Sequence, residues 1–315
     1  MKKLLLFFLI LQLTSISAQV ENYNLFPSMA PSHLLDDKLE DISFAFGLRV
    51  LESDYNGPLI RLRRANDNSE MDFFCRDDDK VDIEAINTWR NGANVFVTRW
   101  YDQSGLGRDA FQTTTFRQPR FIPDATQPYW AGDGNDVLIV PENFQNLTES
   151  GKNGSVLGIF YATDRSQIPF GVISGGERWL VHINWNNEQC YFDPGYCCNN
   201  PRSFINNLPT HPTNPGSLNA WDQYSFVRRD NPSNTNVDKV ILRLKGVQKA
   251  NGNFPNNQSC NLTFNFGLGS AISNSFNTPS QGSTTRFAEI IMYKVGLQDD
   301  QIDAIEQNQI TFWNL

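Results

Sequence analysis

The chain has 315 residues, with 26 Lys and Arg against 34 Asp and Glu, a formal net charge of −8 at neutral pH. That acidic balance argues against a nucleic acid or an anionic membrane surface as partner, since both select basic proteins. Only 19% of residues are charged, while Asn, Gly, Pro, Thr and aromatic side chains are plentiful; such a surface suits uncharged ligands such as sugars, although many exported β-proteins share it.

Lys2 and Lys3 precede an apolar run from Leu4 to Leu11 and a small-residue exit at Ser15-Ile16-Ser17-Ala18-Gln19. This is the order of a secretory signal peptide cut near Ala18, and the expectation is a secreted, extracellular protein. The apolar run falls short of the ~20 residues that span a bilayer, and no later stretch reaches that length. Residues 19–315 are expected to form a single domain, because no linker or internal repeat divides them.

Leu35, Leu39, Ile42, Phe46 and Val50 recur every three to four residues, which predicts an amphipathic helix. Gly57-Pro58 then opens a strand over Leu59–Arg64, followed by an acidic loop at Asp77-Asp78-Asp79. A short helix is predicted from Asp82 to Trp89, with Asp82 and Glu84 at its positive end. Beyond it come short β-runs separated by Gly, Pro and Asn: Val95–Tyr101, Val137–Val140, Val156–Thr163, Trp179–Trp185, Trp221–Arg228, Lys239–Leu244, Leu262–Leu268 and Arg286–Tyr293. Many short strands with such turns predict an all-β sandwich or barrel. Asp299–Glu306 closes the chain as a short helix with an acidic start.

Five cysteines are present: Cys75, Cys190, Cys197, Cys198 and Cys260. In an oxidising compartment an odd number leaves at least one thiol free or available for self-association. Pairing of Cys190 with Cys197 or Cys198 is one arrangement. A zinc site is not supported, since there is no Cys-x-x-Cys and His33, His182 and His211 are scattered. Asp77, Asp78 and Asp79 offer oxygen ligands for Ca²⁺ but lack the glycine and distal Glu of an EF-hand, so a solvated loop is the simpler reading. Asn146, Asn153, Asn257 and Asn261 head sequons, which in a eukaryotic source mark surface loops.

Two segments carry a family resemblance. Tyr55-Asn56-Gly57-Pro58 leading to Arg63-Arg64, and Tyr101-Asp102-Gln103-Ser104-Gly105, resemble the start of the catalytic domain of α-L-arabinofuranosidase B. The ending, Phe287–Tyr293 followed by Gly296-Leu297 and the Asp299 helix, looks like that of concanavalin A-like (laminin-G-like) jelly rolls. The resemblance covers roughly residues 40 to 315 and implies an antiparallel β-sandwich that handles sugars. It also implies a Cys197–Cys198 disulfide lining the sugar pocket, because that family carries a Cys-Cys dipeptide there.

A retaining glycosidase needs a nucleophilic carboxylate and a carboxylic acid. By resemblance the acid belongs in the late turn Phe266–Asn274, where this chain has Ala271, which has no proton to give. Candidate carboxylates are Glu177, Glu188 and Asp193, of which Glu177 and Asp193 are the catalytic pair to test. Asp102 reads as an Asx-type turn residue that Arg61, Arg63 or Arg64 could pair with, and as a possible ligand contact. Tyr129, Trp130, Trp185 and Tyr196 are candidate sugar-stacking rings, although most tryptophans must fill the core. These readings favour a non-catalytic carbohydrate-binding or adhesion protein, with a glycan or polysaccharide as partner. The alternatives are an active α-L-arabinofuranosidase and a structural subunit of an extracellular assembly.

Overall fold

The computed structural model describes residues 33–163, 168–198, 203–206, 210 and 216–315. The expected signal peptide and His211 lie outside the described residues. Among the described residues, the strands in chain order are β1 (Ile42–Gly47), β2 (Ile60–Arg64), β3 (Glu70–Phe73), β4 (Val95–Trp100), β5 (Ala110–Phe111), β6 (Arg120–Ile122) and β7 (Tyr129–Ala131). They continue with β8 (Leu138–Asn143), β9 (Gly154–Tyr161), β10 (Phe170–Ser174), β11 (Glu177–His182), β12 (Gln189–Tyr196), β13 (Phe204–Asn206) and β14 (Trp221–Asp230). The last are β15 (Val237–Leu244), β16 (Val247–Pro255), β17 (Asn265–Leu268), β18 (Ala271–Ile272), β19 (Pro279–Ser280) and β20 (Arg286–Tyr293). The helices are α1 (Ile83–Arg90), α2 (Phe144–Leu147) and α3 (Asp299–Trp313). None is long and apolar enough to cross a membrane.

Hydrogen bonding sorts the strands into two facing layers. The first runs β1-β20-β9-β14-β15-β16, antiparallel throughout. The second runs β3-β2-β4-β5-β8-β17-β10-β11-β12-β13, also antiparallel. β6 and β7 bridge the layers by pairing β4 on one side and β20 on the other, so the sandwich is nearly closed. Aromatic rings fill the space between: Phe170 faces Phe226 at 6.1 Å, Phe46 faces Trp100 at 5.3 Å and Phe192 faces Phe226 at 5.8 Å. Each such ring removes about 150–250 Å² from water, which makes these contacts the main source of cohesion.

The expected helix over Leu35–Val50 is replaced by turns and by β1. All six residues of β1 are buried, since Phe44 and Phe46 face the inter-sheet core and Ile42 and Ala45 face a second cluster with Leu35 and Leu51. A strand covered on both faces reads as an unbroken apolar run, and scattered hits at helical spacing arise within it. The short helix expected at Asp82–Trp89 is α1, capped by Asp82, whose carboxylate accepts the N–H of Ala85 at 2.9 Å.

α3 extends beyond the expected stop at Glu306 and lies on the outer face of the first sheet, burying Ile302 and Ile305. It also satisfies Glu289, the polar residue inside the apolar run of β20. Fully buried, that carboxylate accepts from Arg49 Nε at 2.6 Å, Gln309 Nε2 at 3.0 Å and Trp313 Nε1 at 2.8 Å. The Asp102 carboxylate is likewise satisfied internally: it accepts from Ala45 N at 2.9 Å, Ser104 N at 3.0 Å, Ser104 Oγ at 2.7 Å and Arg108 N at 3.0 Å. The Tyr-x-Gly-Pro motif is structural too, since Tyr55 donates to the Pro58 carbonyl and its hydroxyl would lie 2.8 Å from a Cβ at Gly57. Arg61, Arg63 and Arg64 turn to Asp72, Gln118 and Asp67, not to Asp102 as expected.

Candidate functional site on the outer face of the second sheet

Side-chain alternation divides the β11–β12 hairpin between two environments. Trp179, Val181 and Phe192 enter the inter-sheet core, so Arg178, Leu180 and His182 project from the outer face. Leu180 is paired directly with Asp193, which places Asp193 on that outer face with Arg178 and His182 diagonally to either side. Its Oδ2 lies 3.7 Å from Arg178 Nη1 and 3.7 Å from His182 Nε2. At that range both contacts are longer than ordinary hydrogen bonds; the one to Arg178 is ionic, and the one to His182 is ionic only when the imidazole is protonated. Asp193 and His182 are buried, each with 3% of its side chain exposed, and an ionised carboxylate in such a place needs compensating charge. The guanidinium supplies it.

Cys197 and Cys198 are bonded to each other. Their sulfurs lie within 4.8 Å of the Asp193 carboxylate. The Cys197 N–H donates to the Gly176 carbonyl at 2.7 Å, and Cys198 has φ +71°, so the dipeptide folds back toward the β10–β11 turn. Sulfurs in a disulfide are not thiolate ligands, so this grouping does not make a metal site. Cys190 is therefore not paired with either; it is buried and free, as is Cys260, while Cys75 is free and exposed.

Glycines shape the floor beside Asp193. The row Asp193–Leu180–Gly171–Gly267 crosses four adjacent strands. A Cβ on Gly267 would come within 2.2 Å of the Ser270 carbonyl, so the bare glycine lets Ser270–Ile272 lie down on the sheet. That brings Ala271 against Leu180 and Ile168 in a small apolar cluster, fully buried. Trp185 stands at the rim with its ring 4.4 Å from that of His182.

This fold is arabinofuranosidase-like. An arabinofuranosidase complexed with arabinofuranosyl-α-1,2-xylobiose superposes with a TM-score of 0.57 at 14% identity, over 85% of this chain and 62% of that one. A GH54 α-L-arabinofuranosidase soaked with a cyclic sulfate inhibitor gives 0.54 at 13% identity, over 85% and 62%. A variant GH54 α-L-arabinofuranosidase soaked with 4-nitrophenyl α-L-arabinofuranoside gives 0.54 at 14%, over 86% and 63%. The chain thus spans less than two thirds of the length of these structures. At such identities the likeness is one of fold. No protein-family model matches the sequence, and no curated protein matches it.

The structure separates several residues that the sequence suggested together. Glu177 has the parity of Trp179, so it leaves the hairpin on the side opposite Asp193, where it accepts from Asn261 N at 3.2 Å and Nδ2 at 3.3 Å. Glu188 sits in the β11–β12 turn at φ +62°, its N–H bonded to the Trp185 carbonyl. Tyr196, 44% exposed, lies over Gly176, at which a Cβ would meet its ring at 2.4 Å. Trp130 is a core residue, stacked on Phe287 at 4.2 Å, and cannot meet a sugar. In the acidic loop Asp78 pairs with Arg76 and Asp79 lies 3.2 Å from His33 Nε2. Among the sequons, Asn153 is buried and donates to Glu149 and Asp230, unlike the surface position expected of it.

Arg178 and His182 were not singled out in the sequence. Their signal was present: two polar residues four apart on an alternating strand, with an acid beyond a tight turn. Only the register Leu180↔Asp193 turns that spacing into a contact.

Proposed function

We propose that the protein is an exported glycan-acting protein of the α-L-arabinofuranosidase type, on a concanavalin A-like sandwich. Its sugar site is the outer face of the second sheet around Asp193. The single observation that carries this reading is the buried Asp193 carboxylate set beside the Cys197–Cys198 disulfide, on a fold shared with arabinofuranosidases. In the family that the sequence resembles, such a vicinal disulfide lines the sugar pocket. Asp193 would accept hydroxyl hydrogen bonds or bear the nucleophilic role. Arg178 sets its positive charge 3.7 Å from that carboxylate. His182 would supply the proton that Ala271 cannot, since an imidazole near neutral pH can serve as general acid.

The test is release of 4-nitrophenol from 4-nitrophenyl α-L-arabinofuranoside by purified protein, and its loss in Asp193→Asn. Turnover abolished by that change supports the hydrolase. The buried Ala271 favours the second reading, a binding protein without turnover. In that case arabino-oligosaccharides bind, Asp193→Asn weakens binding, and no arabinose is released. Absence of both binding and turnover would overturn the proposal.

A further inference from the structure

A second groove lies on the strip that joins the two layers, away from Asp193. Across β4, β6, β7, β20 and β9 the register Phe96↔Arg120, Arg120↔Ala131, Ala131↔Arg286 and Arg286↔Tyr161 lines up one row of outward side chains. Ala131 and Gly132 keep the floor low between Arg120 and Arg286, and the cavity measures about 610 Å³. Its far wall is the Asp133–Asp136 loop.

Arg286 is the unusual member. Its guanidinium carbon lies 4.7 Å from the centroid of the Tyr129 ring and 4.2 Å from that of Tyr161, one ring on each neighbouring strand. Cation–π attraction from two rings holds the charge in place without a carboxylate. Among the described residues its guanidinium makes no ion pair and no hydrogen bond, whereas those of Arg61, Arg64, Arg90, Arg99 and Arg108 all pair with acids. Its fork of N–H donors is therefore fixed in direction and unspent. Arg120 adds a second charge at the edge, with one nitrogen on Asn94 Oδ1 at 2.7 Å.

We propose that this groove binds a carboxylate-bearing sugar, a uronate unit of an acidic glycan, with Arg286 and Arg120 taking the carboxylate. Planar guanidinium and carboxylate match in a bidentate pair. Burial, and next the charge of Asp133, hold the Asp136 carboxyl up to about 7, so near neutral pH it is about half protonated and opposes the arginines only in part, while Asp133 lines the same cavity. The net charge of −8 does not forbid an anionic ligand here, because charges beyond about 8 Å are largely screened at physiological salt. The inference goes beyond the arabinofuranosidase reading and does not depend on it.

The test is calorimetric titration of the full-length protein with oligogalacturonate and with a neutral xylo-oligosaccharide of equal length. Oligogalacturonate is expected to bind, weakening with added salt, and Arg286→Gln to weaken it about tenfold or more, the loss of one charge-assisted contact. Arg120→Gln, at an exposed position that does not threaten folding, should weaken it by a smaller factor. Asp193→Asn should leave it unchanged, which keeps this site distinguishable from the first. The proposal is overturned if the wild type ignores oligogalacturonate, if the neutral oligomer binds as well, if neither arginine variant changes affinity, or if Asp193→Asn abolishes binding.

Discussion

Asp193 and His182 meet across the β11–β12 hairpin at 3.7 Å, both buried, although eleven positions separate them and the turn between them is polar. The pairing exists because Leu180 and Asp193 are direct cross-strand partners. It gives the outer face of the second sheet a carboxylate and an imidazole in one place, next to a disulfide.

The first prediction concerns that pair. Removing the proton donor of a glycosidase typically costs about 10²–10⁴-fold. His182→Gln is accordingly expected to lower turnover of an aryl arabinofuranoside within that range while leaving KM nearly unchanged. Steady-state kinetics over pH would show it, since the wild type should have an alkaline-side limb that the variant lacks. An unchanged pH profile would remove His182 from the reaction.

Glu289 is the second. It receives Arg49, Gln309 and Trp313 with no exposure to solvent. Glu289→Ala strands a buried guanidinium, and breaking such a pair costs about 3–5 kcal/mol. Urea unfolding should register a loss of that size, and Glu289→Gln a smaller one. Equal stability of all three proteins would show that α3 docks by its apolar face alone.

Asp136 sets a pH dependence of stability. Its carboxyl is held up to about 7 in the folded protein, mainly by burial, against an ordinary value of about 3.9 when unfolded. Between these values the folded state binds the extra proton, so this contribution is fully present below about pH 4 and is lost as pH rises toward 7. The melting temperature of Asp136→Asn should therefore fall less between about pH 4.5 and 7.5 than that of the wild type. Parallel curves would refute the assignment.

Thiol labelling separates the cysteine classes. Cys75 is exposed, whereas Cys190 and Cys260 are buried and burial pushes both thiols up, the latter to about 12. The folded, unreduced protein should take alkyl label at Cys75 first, the denatured protein also at Cys190 and Cys260, and only the reduced protein at Cys197 and Cys198. Mass mapping of the labelled peptides decides it; early label on Cys198 would contradict the disulfide.

Local chemistry was enough for much of this protein. Period-two runs bounded by Gly, Pro and Asn marked β4, β9, β14, β15 and β20, the Asp82 cap marked α1, and the Asp102-Gln103-Ser104 turn announced an Asx-type residue, since each depends on neighbours within a few positions. What the chain's own order could not decide was register and layering. Whether Ile42–Gly47 is helix or strand turned on both its faces being covered; whether Glu177 or Arg178 joins Asp193 turned on a one-residue parity; whether Trp130 stacks on a sugar or on Phe287 turned on which sheet lay behind it. Those are contacts between residues tens to hundreds of positions apart, and only the assembled sandwich brings them within ångströms.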